Sequence, residues 1–233
     1  MTRDSSEFAR LRVPFSTWPK SPKNTYERVF ENNKKWAAHH SASNPEFFEH
    51  LAKGQSPEFL FISCADSRVP VNNIMGLEPG EVFVHRNVAN LVVNTDMNIH
   101  SVILYAIEHL KVKHVVVCGH YNCGGVAAAM GNQSLGLIDG WLREIRDVYR
   151  LHAAELDAID NEGARYNRLI ELNVIEQCNN ILKTEYFQKS HAAGGAPSVH
   201  GWIFDISKGA LLDLDYDYKA QMENMKAIYD ING

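Results

Sequence analysis

Cys64-Ala65-Asp66-Ser67-Arg68 and His120-Tyr121-Asn122-Cys123 bring together the side chains in this chain best able to do chemistry jointly. Two thiols and one imidazole are the donors zinc prefers, and three protein ligands leave a fourth position open for water. The His120-x-x-Cys123 spacing lets both side chains converge where a strand turns into a helix. Each segment follows an apolar run that reads as a buried strand, Phe59-Leu60-Phe61-Ile62 in one case and Val115-Val116-Val117 in the other. The donors therefore sit at the carboxyl ends of two strands, where open α/β sheets place their ligand crevices. This is the pattern of a reactive metal centre, not of a structural finger. Asp66 and Arg68 have two readings. As a solvated loop ion pair they contribute about 0–1 kcal/mol; close behind a metal ligand they orient what surrounds the ion.

The elements that must position these groups alternate between strand and helix. Residues 1–23, with Pro14, Pro19 and Pro22, read as an extended arm. Asn24 caps a helix through Val29, Phe30 and Trp36, and Asn44-Pro45 starts a second that stops at Gly54. Strands are expected at 59–63, 80–87, 112–119 and 198–206, with a partner strand at 210–216 after the turn at Lys208-Gly209. A turn-rich loop follows the first strand. Helices are expected from Asn98, whose apolar stripe runs from Ile99 to Leu110, at about 137–152, and at 164–184. The expected fold is a single α/β domain over 1–233. Its sheet is mainly parallel with an antiparallel edge, and helices cover both faces. Within it, 1–23 is the arm, 24–54 the arm helices, 55–217 the α/β core and 218–233 a C-terminal helix.

Bulk properties exclude several classes. A chain of 233 residues is long enough to bury most of its unfolded surface in one large domain. A formal charge of −5, without basic runs, offers nothing to nucleic acid. The longest apolar stretches fall far short of the roughly 20 residues a membrane span needs. Arg3, Arg10 and Arg12 hint at an organellar presequence, but Asp4 and Glu7 argue against one, so the expected location is the cytoplasm. Four cysteines make no disulfide framework in a chain this long. Cys118 and Cys178 read as small buried hydrophobes, while His39, His40, His114 and His152 read as surface or helix-face residues.

The paired motifs, CADSR and HxxCGG with GEVFVHRNVAN between them, resemble those of the β-class carbonic anhydrases, from about Tyr26 to about Leu214. The resemblance implies reversible hydration of carbon dioxide to bicarbonate and a proton, by way of a zinc-bound hydroxide. One Zn²⁺ per chain would be held by Cys64, His120 and Cys123, with Asp66 and Arg68 as the catalytic dyad. Phe83, Val88 and Tyr105 would form an apolar substrate wall, the Gly124 backbone would face the substrate oxygen, and Gln55 would reach in from a partner subunit. A homodimer, or dimers paired into a tetramer, is implied too. Some family members bind bicarbonate at a second site through Trp, Arg and Tyr. Only the Arg has a counterpart here, Arg86, because Phe61 and Phe204 occupy the other positions and offer no donor. The expected resting state therefore has Asp66 held by Arg68.

Three rivals stand beside this reading. A zinc hydrolase of the same fold could act on carbon disulfide or carbonyl sulfide. A non-catalytic zinc or redox module would need only the thiolates, and the Asp66–Arg68 dyad speaks against it. A nucleotide-binding protein is disfavoured because Gly119, Gly124 and Gly125 do not make G-x-G-x-x-G.

Overall fold

The computed structural model describes residues 25–229, so the arm expected over 1–23 and the cap expected at Asn24 lie outside the described residues. The chain divides into two compact units, one ending at Gln55 and the other beginning at Ser56. In the first, α1 (Thr25–Ser43) and α2 (Phe47–Lys53) bury no residue. Their contact is aromatic: the Trp36 ring lies 5.5 Å from Phe48, and His40 stacks on Phe47 at 4.4 Å. Asn44 Oδ1 accepts the Glu46 N–H at 3.1 Å and turns the chain into α2. The helix stops at Gly54, whose φ of 148° is open to a residue without a Cβ.

The second unit contains, in order, β1 (Phe59–Cys64), α3 (Val71–Met75), β2 (Val82–Asn87), α4 (Met97–Leu104), β3 (His114–His120), α5 (Gly124–Met130), α6 (Ile138–Leu151), α7 (Ala153–Asp157), α8 (Glu162–Leu182), α9 (Glu185–Ala192), β4 (Ser198–Asp205), β5 (Ala210–Asp213) and α10 (Tyr218–Tyr229). The sheet order is β2-β1-β3-β4-β5, parallel except for β5, which pairs antiparallel with β4. This is the expected mixed, mainly parallel α/β fold.

The apolar runs in β1 and β3 are continuous because both faces of the sheet are covered. Leu60, Ile62, Val115, Val117, Val199 and Ile203 pack with the buried residues of α4, α5, α6 and α8. On the opposite face Phe61, Val116, Cys118 and Phe204 pack with Val69, Val71, Ile74 and Met75 around the short α3. Two glycines let α8 approach closely. A Cβ on Gly119 would come within 2.7 Å of Val174 Cγ2, and one on Gly201 within 3.2 Å of Val174 Cγ1.

Several boundaries differ from the sequence expectation for physical reasons. The turn-rich loop after β1 contains α3, which closes on Gly76 in the left-handed conformation. The helix expected from Asn98 begins at Met97, because Asp96 Oδ1 caps it by accepting the Asn98 N–H at 3.0 Å. It then widens into a π-turn at Tyr105–Leu110. The last strand ends at Asp213, since Leu214 donates its N–H to Gly201 and Asp215 turns left-handed. His152 is half-buried against Glu176 at 3.0 Å, and His114 bonds His200 at 3.1 Å, so neither is a free surface residue. Cys118 and Cys178 are buried, as expected of small hydrophobes. No helix among the described residues is long and apolar enough to cross a membrane.

Candidate metal centre

The parallel pairing of β1 with β3 puts Ser63 opposite Cys118, so the next turn of each strand delivers Cys64 beside His120 and Cys123. Their candidate ligand atoms lie within 4.8 Å of one another, and all three residues are buried. They form the only such cluster of three found among the described residues. The two sulfurs stand 4.0 Å apart as free thiols, too far for a disulfide bond. His120 Nδ1 faces the Tyr121 carbonyl oxygen at 3.0 Å, which fixes the ring with Nδ1–H donating there. Its Nε2 is buried and has no partner. A buried imidazole nitrogen grouped with two free thiol sulfurs, all within 4.8 Å of one another, fits a metal ion of zinc's type.

The thiols are not equivalent. Hydrogen bonding from Cys123, then from the His120 ring and, after these, from the Ala89 N–H at 3.4 Å pushes Cys64 down to about 4 against the effect of burial. Cys123 is pushed up by sharing a proton with Cys64 and by burial, although the Gly125 and Val126 N–H groups at the start of α5 point at its sulfur.

Asp66 lies beside this cluster, with Oδ2 3.8 Å from His120 Nε2. Arg68 holds it by both oxygens, Nε to Oδ1 at 2.9 Å and Nη2 to Oδ2 at 2.6 Å, while its backbone N–H adds a third bond to Oδ1. The Arg68 guanidinium holds the Asp66 carboxyl down at about 2. Arg68 is anchored in turn on the Asn122 carbonyl, between the two cluster residues of the second motif. Arg86 donates to the Cys64 and Asp66 carbonyls and so holds the first motif's backbone from beneath.

Asn87 to Val92 forms a turn in which two consecutive non-glycine residues are left-handed, Ala89 at φ 65° and Asn90 at φ 53°. Each such residue costs on the order of 1–3 kcal/mol unless its surroundings impose it. Here Asn87 clamps Leu91 at both backbone groups, Asn173 of α8 donates to the Ala89 carbonyl, and Gln177 accepts from the Val92 N–H. A Cβ on Gly125 would come within 2.9 Å of Val88 and 3.2 Å of Ala89, so α5 closes the turn from the other side.

The other residues singled out from the sequence fall as follows. Phe83 and Tyr105 face each other with ring centroids 5.9 Å apart, and Tyr105 opens the π-turn. Val88 packs against the start of α5, with its carbonyl accepting from the Trp141 indole N–H. Tyr105 and Val88 are both exposed. A Cβ on Gly124 would touch nothing within 4 Å, so that position faces open space. Gln55 is exposed and ends the first unit.

The carbonic anhydrase family model matches residues 59–211. A carbonic anhydrase of Emericella nidulans is 55% identical over 207 residues, covering 89% of this chain and 91% of that protein. The chain belongs to the β-carbonic anhydrase family. One of two tetrameric β-carbonic anhydrases from Sordaria macrospora superposes with a TM-score of 0.79 at 44% identity, over 83% of this chain and 98% of that one. The β-carbonic anhydrase CafA of Aspergillus fumigatus gives 0.82 at 40% identity, over 88% of this chain and 99% of that one. The activity is thus reversible hydration of carbon dioxide, and the Cys64–His120–Cys123 cluster is where this carbonic anhydrase could hold zinc.

Sequence reasoning missed Ala89, Asn173 and Gln177. A signal existed for the last two: Asn173 and Gln177 are polar residues four apart on a helix stripe otherwise made of Ile170, Val174 and Ile181. It also missed Tyr121 and Tyr166. The first bonds Glu171 through its hydroxyl at 2.8 Å, and the second donates to the Cys123 carbonyl at 2.7 Å.

Proposed function

We propose that this chain hydrates carbon dioxide with one zinc ion per chain, held by Cys64, His120 and Cys123, and with Asp66 and Arg68 handling the proton. The observation that carries the reading is the buried cluster of His120 and two free thiols, whose ligand atoms lie within 4.8 Å of one another. Zinc, when bound, supplies a Lewis acid that makes water acidic near neutral pH. Two thiolates neutralise the ion's charge and weaken that effect, so a neighbouring carboxylate gains importance. Asp66 is ionised and points Oδ2 toward the cluster, where it can accept a hydrogen bond from the attacking oxygen. Arg68 occupies both oxygens of that carboxylate and so would keep it off a bound metal. Phe83, Val88 and Tyr105 would offer carbon dioxide an apolar wall, and Gly124 leaves room for its oxygen beside the backbone. Gln55 would complete the pocket from a neighbouring subunit.

Metal removal tests this reading. Stopped-flow carbon dioxide hydration should disappear after zinc is stripped with a chelator and return on adding zinc. Hydration that survives complete stripping would refute it. Faster hydrolysis of carbon disulfide or carbonyl sulfide by the same sample would favour the sulfur-substrate rival.

The same reading implies assembly, because the family resemblance has Gln55 reach in from another chain. We propose a homodimer, with dimers paired into a tetramer of closed two-fold symmetry. Tyr26, Val29 and Phe30 are exposed on one side of α1, a helix that buries nothing, and the Sordaria macrospora relatives are tetrameric. Sedimentation should show a dimer or tetramer; an active monomer would contradict the proposal. A cytoplasmic setting suits a centre whose two thiols must stay reduced.

A further inference from the structure

Three buried amides connect α8 to the sulfur of Cys64. Asn173 Nδ2 donates to the Ala89 carbonyl at 3.1 Å, and the Ala89 N–H donates to Cys64 Sγ at 3.4 Å. Behind them Gln177 Nε2 donates to Asn173 Oδ1 at 3.1 Å, which orients the Asn173 amide with its nitrogen toward Ala89. Gln177 Oε1 accepts the Val92 N–H at 2.7 Å, so the chain of bonds grips both ends of the left-handed turn. Asn173 and Gln177 are 1% and 2% exposed, and leucine would fit either place on this apolar stripe more cheaply if packing were all that mattered.

We infer that Asn173, oriented by Gln177, is a positioning residue for the metal centre: by gripping the Ala89 carbonyl it holds the backbone of that residue so that the Ala89 N–H stays on the Cys64 sulfur. The inference rests on the reading of Cys64 as a metal thiolate. A hydrogen bond to a coordinating sulfur draws electron density from it, so the thiolate donates less to the ion and the ion stays a stronger Lewis acid. The Ala89 N–H sits in a left-handed turn, a conformation alanine does not hold by itself. The amides of α8 supply the constraint.

Cobalt(II) substitution tests the inference, because the sulfur-to-cobalt charge-transfer band reports how strongly the thiolates donate. Asn173→Leu removes the donor while keeping the side chain's size. Its band should move to longer wavelength, because the sulfur donates more strongly, while its cobalt affinity should fall by about 10–100-fold, because the turn no longer holds that sulfur in place. Ile181→Val, a change at another fully buried residue of α8, should lower the melting temperature and leave the band in place. If Asn173→Leu does not fold, Gln177→Met should give a smaller shift in the same direction. Parental band and affinity in whichever variant folds would overturn the inference, as would an equal shift in Ile181→Val. A parent protein with no sulfur-to-cobalt band at all would overturn the metal reading itself.

Discussion

Replacing Cys123 with serine should release most of the zinc and abolish hydration. Cys123 is 1% exposed, and its sulfur stands 4.0 Å from Cys64 Sγ and accepts from the Gly125 and Val126 N–H groups. A serine hydroxyl there remains protonated and is a hard, neutral donor, so the ion loses a thiolate and the site loses a negative charge. Loss of a direct ligand should exceed the 10–100-fold typical of an outer partner. Cys118→Ser and Cys178→Ser supply the control. Both thiols are pushed up by burial, lie outside the cluster and bond only backbone groups, roles a hydroxyl can take over. Metal analysis after dialysis should find near-stoichiometric zinc in both controls and little in Cys123→Ser. Full occupancy in that variant would remove Cys123 from the ligand set.

Asp66→Asn and Arg68→Ala should each lower turnover by about 10²–10⁴-fold, the span expected of a positioned acid–base group, while zinc stays bound. Asparagine keeps one acceptor oxygen but loses the charge that Arg68 grips through two bonds. Removing the guanidinium leaves Asp66 with only the backbone N–H of residue 68, free to swing toward an ion near His120. The two variants fail for different reasons yet reach the same result. Stopped-flow rates on zinc-saturated samples decide the matter: a parental rate in either variant would reduce Asp66 and Arg68 to a loop ion pair.

Much of the fold was legible because the chemistry-bearing segments follow strands buried on both faces. Such strands read as unbroken apolar runs, and the Val115–Val117 run could only be one of them. The cluster was legible for a related reason: thiols and an imidazole placed at strand ends have few other uses. The left-handed turn at Ala89 and Asn90 was not, since neither residue is glycine and its geometry comes from bonds to a helix far along the chain. Short α3 was hidden by Asn72 and Asn73, which favour turns by themselves and form a helix here because Val71 must bury against Phe61 and Val116. The π-turn at Tyr105 left no trace either, as its apolar stripe is indistinguishable from that of an ordinary helix.

The separation of Cys64 from Cys123, 59 residues along the chain, has a consequence for how the protein folds. No local stretch can assemble the centre, because its donors come from two parallel strands joined by a long crossover. An ion meeting the unfolded chain finds at best the local donors Cys118, His120 and Cys123, and Cys64 arrives only when β1 docks beside β3. A slip of one residue in that pairing would turn Cys64 to the opposite face. Metal binding therefore acts as a register check. It would stabilise the correctly paired sheet by mass action, and a misaligned one only as far as the donors of residues 118–123 can hold the ion by themselves.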